Sequence, residues 1–477
     1  MPKRTIQTNF LASRSAALRT AMLCLVTLGI AAAQLFLAAD AARGQQHDTD
    51  NNIRFFQWKV AQDPDDFFNY DKLGVAYIQK ARETGDVTYY NLAAQTLEKS
   101  RDLESGSAQA APAMKHLASV YYAEHRFAET LALAQKAVEL SPRDVTPYAV
   151  IGDARSEMGE YEAAWEDYAK LQANSDAQAA DSGVEYLRES RAATKTFLTG
   201  DAHAAIEHMR RAVDISVAAR MPKESIAWSQ FTLGDNYFQL GEFASAKSAY
   251  NDALRTYPDY HRALMGLAKV AAANGHLSES VALYEKAIGI IPLPAYAAAL
   301  GDVETKAGNA AQAKKQYDLV EFIAHLNTFN QTVYNRELAV FYADHDIHLE
   351  QALELAQKEF EVRHDIYTWD ALAWALYKNA RPREAAGAIN EALRLGTKDA
   401  LLLFHAGMIY ERLGDHARGQ DYLRQALALN PQFHLFYADV ARATLEGTTN
   451  GAIRAAAPAP TTNHPQGIID GTANARP

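Results

Sequence analysis

The sequence predicts an all-α, right-handed solenoid of antiparallel helix pairs. Three observations lead there. A set of small and large residues returns every 34 residues, and so regular a period marks a stacked array. Within each copy the apolar residues fall at i, i+3, i+4 and i+7, which places them on one helical face. Glycine and proline stand where such helices must reverse and stop.

The first 42 residues read as an address. Lys3, Arg4, Arg14 and Arg19 have no acid among them, and Ala21 to Ala39 is apolar apart from Thr27 and Gln34. Small residues follow as Ala38-Ala39-Asp40-Ala41-Ala42. This is the build of a secretory signal cleaved near Ala41 or Ala42. A run of about 19 apolar residues also suffices for an uncleaved signal anchor, and both readings stand. Leu23 precedes Cys24 where bacterial lipidation needs a small residue, so a lipoprotein is set aside. Cleavage would leave a chain without cysteine, which suits export. The expected location is periplasmic or extracellular, or on an inner membrane anchored through residues 21–39.

Residues 43–65 are expected to be a linker and a capping helix, the helix running from Ile53 to Gln62. Asp63, Asp65 and Asp66 resemble a calcium cluster, but Asp-Pro-Asp-Asp is good chemistry for starting the next helix.

The array is expected over residues 66–432. Leu233-Gly234, Gly241, Tyr250, Ala253 and Pro258 return 34 residues later as Leu267-Ala268, Gly275, Tyr284, Ala287 and Pro292. Leu117-Ala118, Phe127 and Ala134 return as Ile151-Gly152, Tyr161 and Tyr168. Leu372-Ala373, Ala385 and Ala392 return as Ala406-Gly407, Gly419 and Ala426. Gly159, Gly241, Gly275, Gly308 and Gly414 mark the turn inside each unit, where glycine takes left-handed backbone at little cost. Gly152, Gly234, Gly301 and Gly407 are expected to meet Ala164, Ala246, Ala313 and Gly419 across the pair. Tyr168, Tyr250, Tyr284 and Tyr317 are expected to fill the space between units.

This pattern resembles the tetratricopeptide repeat family in its small positions, its large positions and its terminal proline. About ten units are read, with first helices opening near Phe67, Ala113, Thr146, Leu187, Ala227, Arg262, Ala295, Val333, Tyr367 and Leu401. The fourth unit lacks the large first-helix residue, and the eighth has an extra residue near His345-Asp346-Ile347-His348 and no mid-unit glycine. Residues 433–446 read as a terminal helix over the open end of the array. Residues 447–477 turn to Thr, Asn, Pro and Ala and are expected to be disordered.

Composition narrows the function. With 47 Lys and Arg against 58 Asp and Glu, the net charge is −11, which argues against nucleic acid as a partner. The single cysteine excludes a disulfide framework. No phosphate-binding loop, dinucleotide fingerprint, H-E-x-x-H or nucleophile elbow occurs. His345, Asp346, His348 and His364 read as polar turn residues. No catalytic residue, metal or cofactor is expected.

The resemblance implies a concave groove lined by the first helices. Carried over position by position, the groove comprises Trp228, Phe231, Asp235 and Phe238, then Arg262, Met265 and Lys269. It continues through Tyr367, Asp370, Trp374 and Tyr377 to Phe404, Met408 and Glu411. The carboxylate clamp of some relatives is not expected, because Asp153 stands where asparagine would be needed beside Lys115. The function expected is a non-catalytic scaffold outside the cytoplasm that binds protein or peptide segments in that groove, in assembly of an envelope complex. The alternative is an accessory to glycan or polymer export, with sugars stacked on the groove aromatics.

Overall fold

The computed structural model describes residues 48–171, 181–330 and 335–447, and no β-strand occurs among the described residues. The protein is an all-α helical repeat solenoid. A helix at residues 48–62, α1, precedes the array. Unit 1 pairs α2 (Phe67–Thr84) with α3 (Thr88–Leu103), and unit 2 pairs α4 (Ala111–Ala123) with α5 (Phe127–Leu140). Units 3 and 4 are α6 (Pro147–Glu157) with α7 (Tyr161–Lys170), and α8 (Ser182–Leu198) with α9 (Ala202–Ala218). Units 5 and 6 are α10 (Lys223–Gln239) with α11 (Phe243–Thr256), and α12 (His261–Ala273) with α13 (Leu277–Ile290). Units 7 and 8 are α14 (Pro294–Lys306) with α15 (Ala310–Asn330), and α16 (Asn335–Asp344) with α17 (Leu349–Phe360). Units 9 and 10 are α18 (Ile366–Lys378) with α19 (Pro382–Ala392), and α20 (Ala400–Leu413) with α21 (His416–Leu429). The chain then enters α22 (Tyr437–Leu445). The address at residues 1–42 and the tail after Gly447 lie outside the described residues.

Local chemistry sets these boundaries. Aspartates 66, 181, 201, 365, 399 and 415 each cap a helix by accepting a backbone N–H of its first turn. Asp66 takes that of Asn69 at 3.0 Å, so the Asp63–Asp66 cluster has the capping role the sequence implies. The mid-unit glycines 159, 241, 275, 308 and 414 have φ between 71° and 83°. Unit 8 makes the same reversal without glycine, at Asp346 and His348.

Packing departs from expectation in one respect. The first-helix glycines mostly face the tyrosine of the second helix rather than its small residue. A Cβ on Gly234 or on Gly266 would stand 2.5 Å from the Tyr250 ring. That ring therefore lies between α10 and α12 and joins two units. The expected backbone approach holds at Gly152 and Gly407, where a Cβ would be 3.1 Å from the carbonyls of Ala164 and Gly419.

Successive first helices touch one another, as in α2–α4, α10–α12, α16–α18 and α18–α20, while second helices contact mainly the adjacent first helices. The first helices therefore form the inner side of the curve. The curve closes on itself after five units. Gly85, Gly159, Gly200 and Gly241, in the turns of units 1, 3, 4 and 5, lie against Ile291, His364, Gly396 and Asn430, at the ends of units 6, 8, 9 and 10. A helix leaves its last carbonyls without internal partners. Here units five places later supply donors to that end of the first helices. The His364 amide reaches the Glu157 carbonyl at 2.9 Å, the Thr397 hydroxyl the Leu198 carbonyl at 2.5 Å, and the Asn430 amide the Phe238 carbonyl at 2.8 Å. Arg394 bonds the Gly159 carbonyl at 2.6 Å, and Arg363 pairs with the Glu157 carboxylate at 3.0 Å. Burial raises that carboxyl above its usual range, against the pull of Arg363.

Three expectations need correction. The capping helix begins by residue 48, not at Ile53. α8 and α10 begin about a turn before Leu187 and Ala227. The terminal segment packs on the last unit but is not helical from Phe433. It runs irregularly to Phe436, and α22 then turns into the inner side of the curve. Tyr437 bonds Asp344 of unit 8 at 2.7 Å and stacks on Phe404 of unit 10 at 4.7 Å, while Asp439 pairs with Lys306 of unit 7 at 2.8 Å.

Candidate functional site

The inner face is the surface on which the fourteen groove residues were expected, and the structure divides them into two groups. The first is filled by the chain itself. Trp374 is 2% exposed and lies between Tyr377 and His405, with ring centroids 4.9 and 4.1 Å away. Its indole N–H donates to Asp344 at 2.7 Å. Asp370 is buried against His405 at 2.8 Å, and Met408 and Phe404 are buried in the same core. Phe231 and Phe238 are buried in the core of unit 5. For Phe231, Phe238, Asp370, Trp374, Tyr377, Phe404 and Met408 the groove assignment therefore needs correction. They are buried: neighbouring rings pack against them, and Tyr437 of α22 lies on Trp374 and Phe404.

The second group stays within reach of solvent. Arg262 is exposed, and Trp228, Asp235, Met265, Lys269, Tyr367 and Glu411 are partly exposed. Tyr367 and Glu411 stand apart from the rest in units 9 and 10. The others gather on α10 and α12. Lys269 lies 3.9 Å from the Asp235 carboxylate and 5.1 Å from the Phe238 ring centroid. Asp235 also accepts the Tyr250 hydroxyl at 2.6 Å. Burial, and then that carboxylate, hold the Tyr250 hydroxyl far above the usual phenol range.

Beside this cluster is a cavity of about 180 Å³. Phe238, Lys269, Tyr284 and Asp302 line one wall, and the chain's own Gln432–Leu435 forms the other. Asp302 is held by the Tyr317 hydroxyl and His345, each at 2.9 Å. His434 turns its Nδ1 toward the amides of Phe436 and Tyr437, and burial lowers its pKa. The irregular run after Asn430 thus lies along the inner face of units 5–7.

Among the described residues no group of three or more His, Cys, Asp or Glu is placed to hold a metal ion. Lys115 pairs with Asp144 at 2.8 Å and Asp153 with Arg191 at 2.6 Å, so neither is held ready for a carboxylate ligand. Sequence reasoning missed Asn430, Thr397, Arg363 and Arg394, which join the turns of the coil. Each is a polar residue at the end of a unit, a signal shared with ordinary turn residues.

Family models of the tetratricopeptide repeat match residues 187–259, 231–295 and 400–433. No curated protein matches the sequence. Among solved structures, the Cut9–Hcn1 hetero-tetramer of APC/C is similar at 13% identity, over 86% of this chain and 96% of that one, with a TM-score of 0.31. Yeast Tom70 is similar at 13% identity, over 80% and 96%, with a TM-score of 0.31. PilW, a type IV pilus biogenesis factor, is similar at 17% identity, over 44% and 90%, with a TM-score of 0.35.

Proposed function

Because the chain is a tetratricopeptide-repeat protein, and such repeats serve as protein–protein interaction scaffolds, we propose a non-catalytic scaffold working outside the cytoplasm. It holds an extended segment of a partner against units 5 and 6, in assembly of an envelope complex. The observation that carries this reading is the uneven filling of the inner face. Units 8–10 are occupied by α22, while Trp228, Asp235, Arg262, Met265 and Lys269 remain reachable on α10 and α12, and Lys269 lines the cavity. One large ring with charges of both signs suits a peptide, whose backbone and side chains offer matching groups. Burying one such ring on binding contributes at most about 1.5–3 kcal/mol before ordering costs. The address at residues 1–42 supports the location.

A glycan is the less favoured ligand. The rings on which a sugar would stack, Trp374, Tyr377, Phe404, Phe231 and Phe238, are buried. The test is crosslinking and mass spectrometry of the native chain in its own cell envelope. The reading expects partner crosslinks at α10 and α12 that weaken in Trp228→Ala and Lys269→Ala variants and at high salt. Crosslinks confined to other units, or binding indifferent to both variants, would count against it.

A further inference from the structure

The helix α1 has two apolar faces. At about 100° per residue, Ile53, Phe56 and Val60 fall on one side. That side packs into the core of unit 1 beside Leu73, Tyr77 and Leu97. Phe55 and Trp58 fall on the opposite side and are 50% and 56% exposed. Phe68, at the start of α2, is 54% exposed. Each ring has a lysine over it. The Lys59 ammonium is 5.5 Å from the Trp58 ring centroid and 5.7 Å from that of Phe55, and the Lys72 ammonium is 4.9 Å from that of Phe68. The terminal element of an array ordinarily turns a polar face outward to keep the stack soluble. This one turns out a phenyl ring and an indole.

We propose that this outer face of α1 rests in the headgroup layer of a lipid bilayer. Aromatic rings beside lysines are the side-chain chemistry of a membrane–water interface, where the ring sits at headgroup depth and the ammonium reaches water. A retained apolar segment at residues 21–39 would bring a membrane close. The apolar run ends at Ala39, and α1 is in place by Asp48. Nine residue steps span at most about 30 Å even fully extended. Asp48 and Asp50 at one end of the helix, and Asp63, Asp65 and Asp66 at the other, disfavour an anionic surface. The fitting surface is therefore a zwitterionic one. This inference rests on reading residues 21–39 as a retained anchor.

The test uses the full chain in phosphatidylcholine vesicles that carry a phospholipid with a photoactivatable diazirine just below the headgroup. Intact mass first reports whether residues 1–42 are retained. A mass lacking them overturns the anchor reading, and the placement with it. With them retained, peptide mapping after illumination is expected to find lipid adducts at Phe55 and Trp58 several-fold above those at Phe322. That residue is a matched control, 58% exposed but on α15 of unit 7. A Phe55→Ser, Trp58→Ser variant should remain in the vesicles and lose α1 labelling to the Phe322 level. Equal labelling of α1 and Phe322 in the unaltered chain overturns the proposal. So does labelling of α1 that stays at the unaltered level in the Phe55→Ser, Trp58→Ser variant.

Discussion

The side-chain amide of Asn430 donates to the main-chain carbonyl of Phe238 across 2.8 Å, and both residues are buried. Through that bond the end of unit 10 closes the C-terminus of the first helix of unit 5. Replacing Asn430 with alanine leaves a buried carbonyl short of a partner, which costs about 1–3 kcal/mol. Urea unfolding should show a lower midpoint, and hydrogen exchange should speed up at the end of α10. Unchanged exchange there would mean that the two turns of the coil do not depend on each other.

The mid-unit glycines form two classes, and alanine substitution should separate them. Gly200 and Gly308 both have left-handed backbone, with φ of 85° and 82°. Alanine in that region costs about 1–2 kcal/mol from backbone sterics alone. A Cβ on Gly308 would meet nothing within 4 Å, whereas on Gly200 it would collide with the Gly396 carbonyl. Gly308→Ala should therefore cost only the backbone term, and Gly200→Ala distinctly more. Equal losses of thermal stability would contradict the contact.

Trp374 is a core residue, so its removal should act on folding. Truncating so large a buried side chain costs about 3–5 kcal/mol. It also strands Asp344, which would keep only the Tyr437 hydroxyl of its two donors. Trp374→Ala should lower the unfolding midpoint and loosen α22 in hydrogen exchange. A variant with native stability would return this ring to the accessible groove.

The hairpins were legible in the sequence because their signals are local. The 34-residue register, the mid-unit glycines and the capping aspartates all act within one or two turns of helix. Closure after five units was not, because it accumulates small rotations between units that no single residue sets. The groove fared likewise. Trp374 and Phe404 occupy inward positions, and those positions read the same whether the inner side is open or filled. Only the path of the chain after Asn430 decides between the two, and Phe433 to Glu446 looks like an ordinary terminal helix.

Acid should weaken unit 6 in a defined window. His261 hydrogen-bonds the Tyr296 hydroxyl at 2.7 Å, and burial, with Arg262 beside it, lowers its pKa from 6.5 to about 4. The unfolded chain therefore takes up this proton at higher pH than the folded chain. The stability tied to a neutral ring is complete above pH 6.5 and is lost as pH falls toward about 4. The slope for this one proton is at most about 1.4 kcal/mol per pH unit. Unfolding curves of His261→Gln, taken across that window, should be flatter than those of the unaltered chain. Parallel curves would show that His261 does not carry the effect.

The central claim is that the coil closes on itself five units along. Spin labels at Thr199→Cys and Lys398→Cys, both exposed beside the Gly200–Gly396 contact, read it most directly in a Cys24→Ser chain. The account predicts a single narrow distance at the short end of the range that pulsed dipolar spectroscopy can measure. A broad distribution at long distances would mean an open array with an empty inner face, and would contradict it.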